Sequence, residues 1–218
     1  MKGITSSQGS GKRRANGAAV RAVFFDIGNV LLHFDARQVQ KRFVAAVGLR
    51  PKSVRELLWA GRLVDGVERG RITSARLYRV FREELSYRGT FEEFRRLWCD
   101  MFTLDRGAQR LLARLARRGV PVYLLSNTNR LHYDHILERY DFPRLVRGAV
   151  LSYRLGLRKP EVGIYRAAVR RARVRPEEAL FIDDLPKNVA GARRVGLRAC
   201  RYRGARDLER RLRVLGLL

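Results

Sequence analysis

The sequence predicts an α/β protein: a parallel sheet with helices on both faces, interrupted after its first strand by an inserted helical segment. Three observations carry that expectation. Short apolar runs alternate with helix-length amphipathic stretches, as in repeated β-α units. The runs are almost continuously apolar, as strands covered on both faces are. From about residue 36 to about residue 103 the alternation stops and only helical periodicity remains.

The elements follow in chain order. Residues 1–20 are rich in Gly, Ser and basic residues without periodicity and are expected to form a flexible basic tail. AVFFDI at 22–27 is the first strand. The stretches RQVQKRFVAAVG, KSVRELLWAG, SARLYRVFREELS and FEEFRRLWCDMF then carry apolar residues at helical spacing, with Pro51 suited to a helix start and Gly48, Gly61 and Gly89 to helix ends. Trp59 and Trp98 are expected in the core of this bundle. GRLVDGVERGRIT, residues 61–73, is expected to connect two of its helices, with Glu68, Arg69 and Arg71 as exposed loop charges. In GAQRLLARLARRG, Leu111, Leu112 and Leu115 face the core and Arg110, Arg114, Arg117 and Arg118 face water. Further strands are expected at 120–126, 148–152, 179–184 and 197–202. The expected division is a core of residues 21–35 and 104–218 and a helical segment of residues 36–103.

Composition narrows the function. At 218 residues and 46% hydrophobic content the chain can bury one substantial core. Two distant cysteines, Cys99 and Cys200, make neither a disulfide framework nor a metal cluster and suggest a reducing, cytoplasmic compartment. No stretch approaches a membrane span. The net charge of +26 invites a nucleic-acid reading, but the positive residues are mostly arginines spread over solvent-facing helix surfaces, without interleaved aromatic residues or a binding motif. Nucleic-acid binding is therefore disfavoured, and the charge is expected to help attract small anionic substrates.

The chemistry is placed at strand ends. Asp26 follows VFF, Ser126 follows VYLL, and Asp183 and Asp184 follow LFI. In an open parallel sheet the carboxyl ends of strands line one crevice, so these groups are expected to converge. Converging carboxylates repel, and a hard divalent cation with oxygen ligands, Mg²⁺, relieves the repulsion. A phosphoryl group would complete such a site. Lys159, directly before Pro160 at an expected helix start, would supply an ammonium, and Ser126 and Asn127 neutral donors.

Together, FFDIGNV, LLSNTN, RKPEVGIY and FIDDLPKNVAGARRVG resemble the four motifs of the haloacid dehalogenase (HAD) superfamily, and the helical insertion resembles its C1 cap on a Rossmann-like core. DIGNV, LSNTNRLH and LGLRKPEVGIY are most similar to a bacterial subgroup that includes α-D-glucose-1-phosphate phosphatases. The resemblance implies a phosphatase with Asp26 as the nucleophile that forms an aspartyl-phosphate. Ser126 and Asn127 would bind the transferring group and Lys159 would neutralise charge. Asp26, the Gly28 carbonyl, Asp183 and Asp184 would hold Mg²⁺, with Asn188 in support. One departure stands out: most phosphatases of the superfamily carry a general acid/base aspartate where this chain has Gly28. His33, Asp35 and His132 are the candidate substitutes. Two other functions remain open from sequence: metal-free dehalogenation, and a binding protein that keeps the fold with weakened chemistry.

Overall fold

The computed structural model describes residues 18–47, 56 and 63–218. The tail up to residue 17, the expected helix KSVRELLWAG with Trp59, and Gly48, Pro51 and Gly61 lie outside the described residues.

All five expected strands are present in one parallel sheet: β1 (Ala22–Phe25), β4 (Val122–Ser126), β5 (Gly148–Leu151), β6 (Ala179–Asp183) and β7 (Arg198–Arg201), ordered β5-β4-β1-β6-β7. Phe25 stands opposite Leu124 on one side and Ile182 on the other. The alternation of each strand feeds two different cores, which is why β1, β4, β5 and β6 contain no charged residue until their tips. Val23, Phe25, Leu124 and Ile182 pack on one face against Leu111, Leu112 and Leu115 of the helix Arg106–Arg117. Phe24, Leu125 and Phe181 pack on the other face against Ile164 and Tyr165 of the helix Val162–Ala172. Burying a Leu or Phe side chain fully contributes ~1.5–3 kcal/mol, so both faces of the sheet are strongly held.

The insertion supplies α1 (Ala36–Val47), α2 (Leu63–Glu68), α3 (Ser74–Glu84) and α4 (Phe91–Cys99). Their apolar faces meet in a separate cluster built on Phe43, Leu77, Phe81, Phe94 and Trp98. Helix α4 opens with a reciprocal cap, Thr90 accepting from the Glu93 N–H while Glu93 accepts from the Thr90 N–H.

Three features differ from expectation. Residues 61–73 contain the helix α2 instead of a plain connection, and it carries Glu68 into the interior. A second, two-stranded antiparallel sheet joins β2 (Leu32–Phe34) to β3 (Phe102–Leu104) where the chain leaves for the insertion and returns from it. Strands of three residues are too short to show a period in sequence. The helix expected to begin at Pro160 begins at Val162 with Glu161 as its N-cap, so Lys159 lies in the preceding loop and not at a helix terminus. Among the described residues no helix is long and apolar enough to cross a membrane.

Candidate active site

Because β1 is central and β4 and β6 flank it, the residues at their carboxyl ends are neighbours. Asp26 immediately follows β1, and its N–H continues the ladder by donating to the Ile182 carbonyl at 2.9 Å. Ser126 ends β4 and Asp183 ends β6. All three are buried.

Lys159 arrives from the loop after β5 and is itself only 4% exposed. Its Nζ lies 2.7 Å from Asp26 Oδ1 and 2.7 Å from Asp183 Oδ2, and donates to the Leu125 carbonyl at 3.0 Å. The three ammonium protons therefore all have partners. The same Nζ sits 5.3 Å from the centre of the Phe181 ring. Asn127 holds the lysine in place: its Oδ1 accepts the Lys159 N–H at 2.8 Å and its Nδ2 donates to the Lys159 carbonyl at 3.0 Å. The Asn127 side chain, expected to touch the phosphoryl group, is thus spent on the lysine backbone.

Asp183 is fully buried and heavily engaged. Its Oδ1 accepts from the Leu185 N–H at 2.8 Å and from Asn188 Nδ2 at 3.0 Å, while Oδ2 faces Lys159. Asn188 leaves its own buried Oδ1 without a hydrogen-bond partner. Asp184 is half-buried, and single carboxylate oxygens of Asp26, Asp183 and Asp184 lie within 4.8 Å of one another.

Three carboxylates against one ammonium leave two uncompensated negative charges in a buried crevice. The electrostatics reflect this. Burial pushes the Asp26 carboxyl up to about 7, more than Lys159 holds it down, and the neighbouring Asp183 charge adds to the rise. Burial, with Asp183 alongside, also pushes Asp184 up. Burial pulls at the Lys159 ammonium, yet the two carboxylates raise it above the usual lysine value. A divalent cation with oxygen ligands matches both the residual charge and the all-oxygen donor set.

Gly28 lies beside this cluster. A Cβ there would meet the Phe34 ring at 3.1 Å. The candidate substitutes for its missing carboxyl are engaged elsewhere. Along β2 successive side chains alternate, and His33 points to Asp105, with Nε2 3.2 Å from Oδ2. Asp35 accepts the Arg37 N–H at 2.8 Å. His132 does face the cavity, but its Nδ1 lies 3.0 Å from Asn129 Nδ2 and its Nε2 3.1 Å from the Trp98 carbonyl. Burial pushes that imidazole down to about 4, so it is neutral at physiological pH.

Two sets of contacts went unnoticed in the sequence, although Glu68 and Arg69 were named there as exposed loop charges. Ser152, at the tip of β5, ties down the loop after β4: its Oγ accepts from the Thr128 N–H at 2.9 Å and donates to the Thr128 carbonyl at 3.0 Å. Its signal was the same serine-after-apolar-strand pattern that marked Ser126. The second set joins α2 to the loop that carries Lys159. Arg158 reaches Asp65 Oδ1 at 2.6 Å and Glu68 Oε2 at 2.6 Å, while Arg69 meets Glu161 and donates to the Gly156 carbonyl at 3.2 Å. No local pattern announces these pairs.

A cavity of about 300 Å³ opens beside Gly28 and Ser126, walled from the insertion by Val64, Glu68, Trp98 and Met101. A buried carboxylate beside a fixed ammonium, two further carboxylates within reach of it and an adjoining cavity under a helical insertion mark the site. The chain belongs to the haloacid dehalogenase-like hydrolase family, whose model matches residues 20–196. Among curated proteins it is similar to a D-ribitol-5-phosphate phosphatase from Bacteroides thetaiotaomicron, 24% identical over 90% of this chain and 98% of that one. It is also similar to a drimenol cyclase, drtB, from Aspergillus calidoustus, 25% identical over 88% of this chain, which spans only 36% of that longer protein. Among solved structures, a HAD family enzyme from Bacteroides thetaiotaomicron superposes with a TM-score of 0.80 at 23% identity, covering 89% of this chain and 99% of that one. That enzyme has also been solved with magnesium and inorganic phosphate (TM-score 0.76, 24% identity, 85% of this chain and 96% of that one).

Proposed function

We propose that the protein is a Mg²⁺-dependent phosphomonoesterase that acts on a small phosphorylated metabolite through an aspartyl-phosphate on Asp26. The observation that carries this reading is the Lys159 ammonium wedged between Asp26 and Asp183, with Asp184 close by. The full-length similarity to a sugar-alcohol phosphatase supports it.

In this mechanism an Asp26 oxygen forms a bond to phosphorus as the bond from phosphorus to the substrate oxygen breaks, and the alcohol leaves. Water then attacks phosphorus, the bond to Asp26 breaks, and phosphate is released. Lys159 neutralises charge on the transferring group and keeps Asp26 oriented, and Asn127 keeps Lys159 in place. Ser126 contacts the phosphoryl group from the end of β4. Asp26, Asp184 and the Gly28 carbonyl would hold the ion, with Asp183 beside them. When bound, Mg²⁺ supplies positive charge that favours ionised Asp26 and screens the phosphoryl oxygens. Turnover of p-nitrophenyl phosphate is expected to need added Mg²⁺ and to vanish with EDTA. Turnover that persists in EDTA would reject the Mg²⁺ requirement, and absence of turnover with Mg²⁺ present would reject the phosphatase.

The narrower expectation from sequence is a sugar phosphate such as glucose 1-phosphate. It rests on the subgroup resemblance and on Gly28, since an anomeric oxygen leaves more readily than an ordinary alkoxide and needs a proton donor less. Gly28→Asp tests the leaving-group part. With the Phe34 ring 40% exposed and free to turn aside, the variant is expected to speed hydrolysis of simple alkyl phosphates by ~10²-fold, the lower end of general acid/base contributions, with little gain on p-nitrophenyl phosphate. Equal effects on both substrates would remove the missing acid as an explanation of specificity.

A further inference from the structure

The cavity beside Gly28 and Ser126 has a lining that the catalytic residues do not explain. Ile27, Phe34, Val64, Met101, Phe102 and Ile136 are among the residues that line it, and its exposed wall is more apolar than polar. Several of its polar side chains are already satisfied by the protein. Asn127 has both amide atoms on the Lys159 backbone. Asn129 caps the helix Arg130–Arg139 through its Oδ1 and meets His132 Nδ1 with its Nδ2, and the other imidazole nitrogen faces the Trp98 carbonyl. Two groups without a hydrogen-bond partner nevertheless remain on residues of the same wall, the buried Trp98 Nε1 and Arg158 Nε, while Glu68 Oε2 is held by Arg158 at 2.6 Å.

A polyol buried here would lose water from hydroxyls along its whole length and find few free partners among the described residues, and each unmet polar group is costly. An apolar body loses nothing of the kind and removes the exposed Phe34 ring from water. Buried polar atoms without partners ask for a ligand or a water to complete them, and among the described lining residues of this cavity they fall on Trp98 and Arg158. We infer that the substrate is a phosphomonoester of a predominantly apolar alcohol, whose polar function beyond the phosphate is confined to the patch formed by Trp98 and Arg158. This deepens the phosphomonoesterase reading and rests on it, and it replaces the sugar phosphate expected from the sequence with an apolar ester. The cavity, about 300 Å³, is at the small end of ligand pockets and so limits the length of that alcohol.

Primary alkyl phosphates of increasing length test the inference, because their leaving oxygens are nearly equal in basicity. With Mg²⁺ present, kcat/KM for ethyl, butyl and hexyl phosphate is expected to rise by ~4-fold per added methylene, the ratio that corresponds to ~0.8 kcal/mol per buried CH₂, until the cavity is full. Hexyl phosphate is expected to exceed ribitol 5-phosphate, whose leaving oxygen is also that of a primary alcohol, by at least ~10-fold. The double variant Phe34→Gln, Met101→Gln should flatten the chain-length series. A flat series in the unaltered protein, or polyol phosphates turned over best, alongside Mg²⁺-dependent p-nitrophenyl phosphate hydrolysis would overturn the inference and leave the phosphatase reading standing. If no phosphate ester is hydrolysed, the phosphatase reading fails, and binding then decides. Hexylphosphonate stabilising the protein against heat more than ribitol 5-phosphate does would uphold an apolar ligand, and the reverse order would reject it.

Discussion

Asp26→Asn is expected to lower turnover of p-nitrophenyl phosphate by ~10⁴-fold or more, because an amide cannot form the phosphoryl-enzyme and no neighbouring group replaces it. The same substitution is nearly isosteric, so the fold should persist. Its effect on stability carries a pH signature in the absence of metal. Burial raises the Asp26 carboxyl from 3.8 to about 7, so between those values the folded protein holds a proton that the unfolded chain releases. The stability contributed by this carboxyl is therefore fully present below about 4 and is lost as pH rises through about 7. Asparagine does not titrate. In EDTA, the melting temperature of Asp26→Asn minus that of the unaltered protein should grow from pH 5 to pH 8, and added Mg²⁺ should shrink the difference at the upper end. A difference independent of pH would show that Asp26 is not strained by its surroundings. Unchanged turnover would remove it as nucleophile.

Lys159→Met has the largest expected effect on the fold. It keeps much of the apolar stem beside Phe181 but strands Asp26 and Asp183 without their shared cation. Removing one partner of a buried charge cluster costs about 3–5 kcal/mol, which for a chain of this size lowers the melting temperature by roughly 10 °C. Turnover should fall by ~10³-fold through loss of charge stabilisation. Calorimetry with and without Mg²⁺ separates the two roles: the ion should restore part of the stability, by supplying charge to the same carboxylates, without restoring turnover. A melting temperature within a degree of the parent would mean that the ammonium does not hold the crevice together.

The architecture was legible because it rests on local signals. Each sheet strand is an apolar run whose alternate residues enter two cores, and each polar residue at a tip breaks that run visibly. Asp26, Ser126, Asp183 and Asp184 could therefore be picked out and placed in one crevice by the topology of parallel sheets alone. The three-residue strands β2 and β3 carried no such signal, nor did the short helix α2 within what looked like a loop. Lys159 was found, but its placement at a helix start was wrong because Pro160 precedes the N-cap instead of following it.

The amino-acid sequence by itself determined the α/β class, the order of the strands' polar tips and the family, since these depend on periods of two to four residues and on motif spacing. Only the tertiary structure decided what each polar group is bonded to. Asn127 serves the backbone of a lysine 32 residues away, Arg158 meets Asp65 across 93 residues, and the wall beside Gly28 is apolar because the insertion brings Val64 and Met101 over it. Such pairings are set by how packed elements meet in space, and hydrogen bonds and ion pairs reach only a few ångströms, so no local pattern along the chain encodes them.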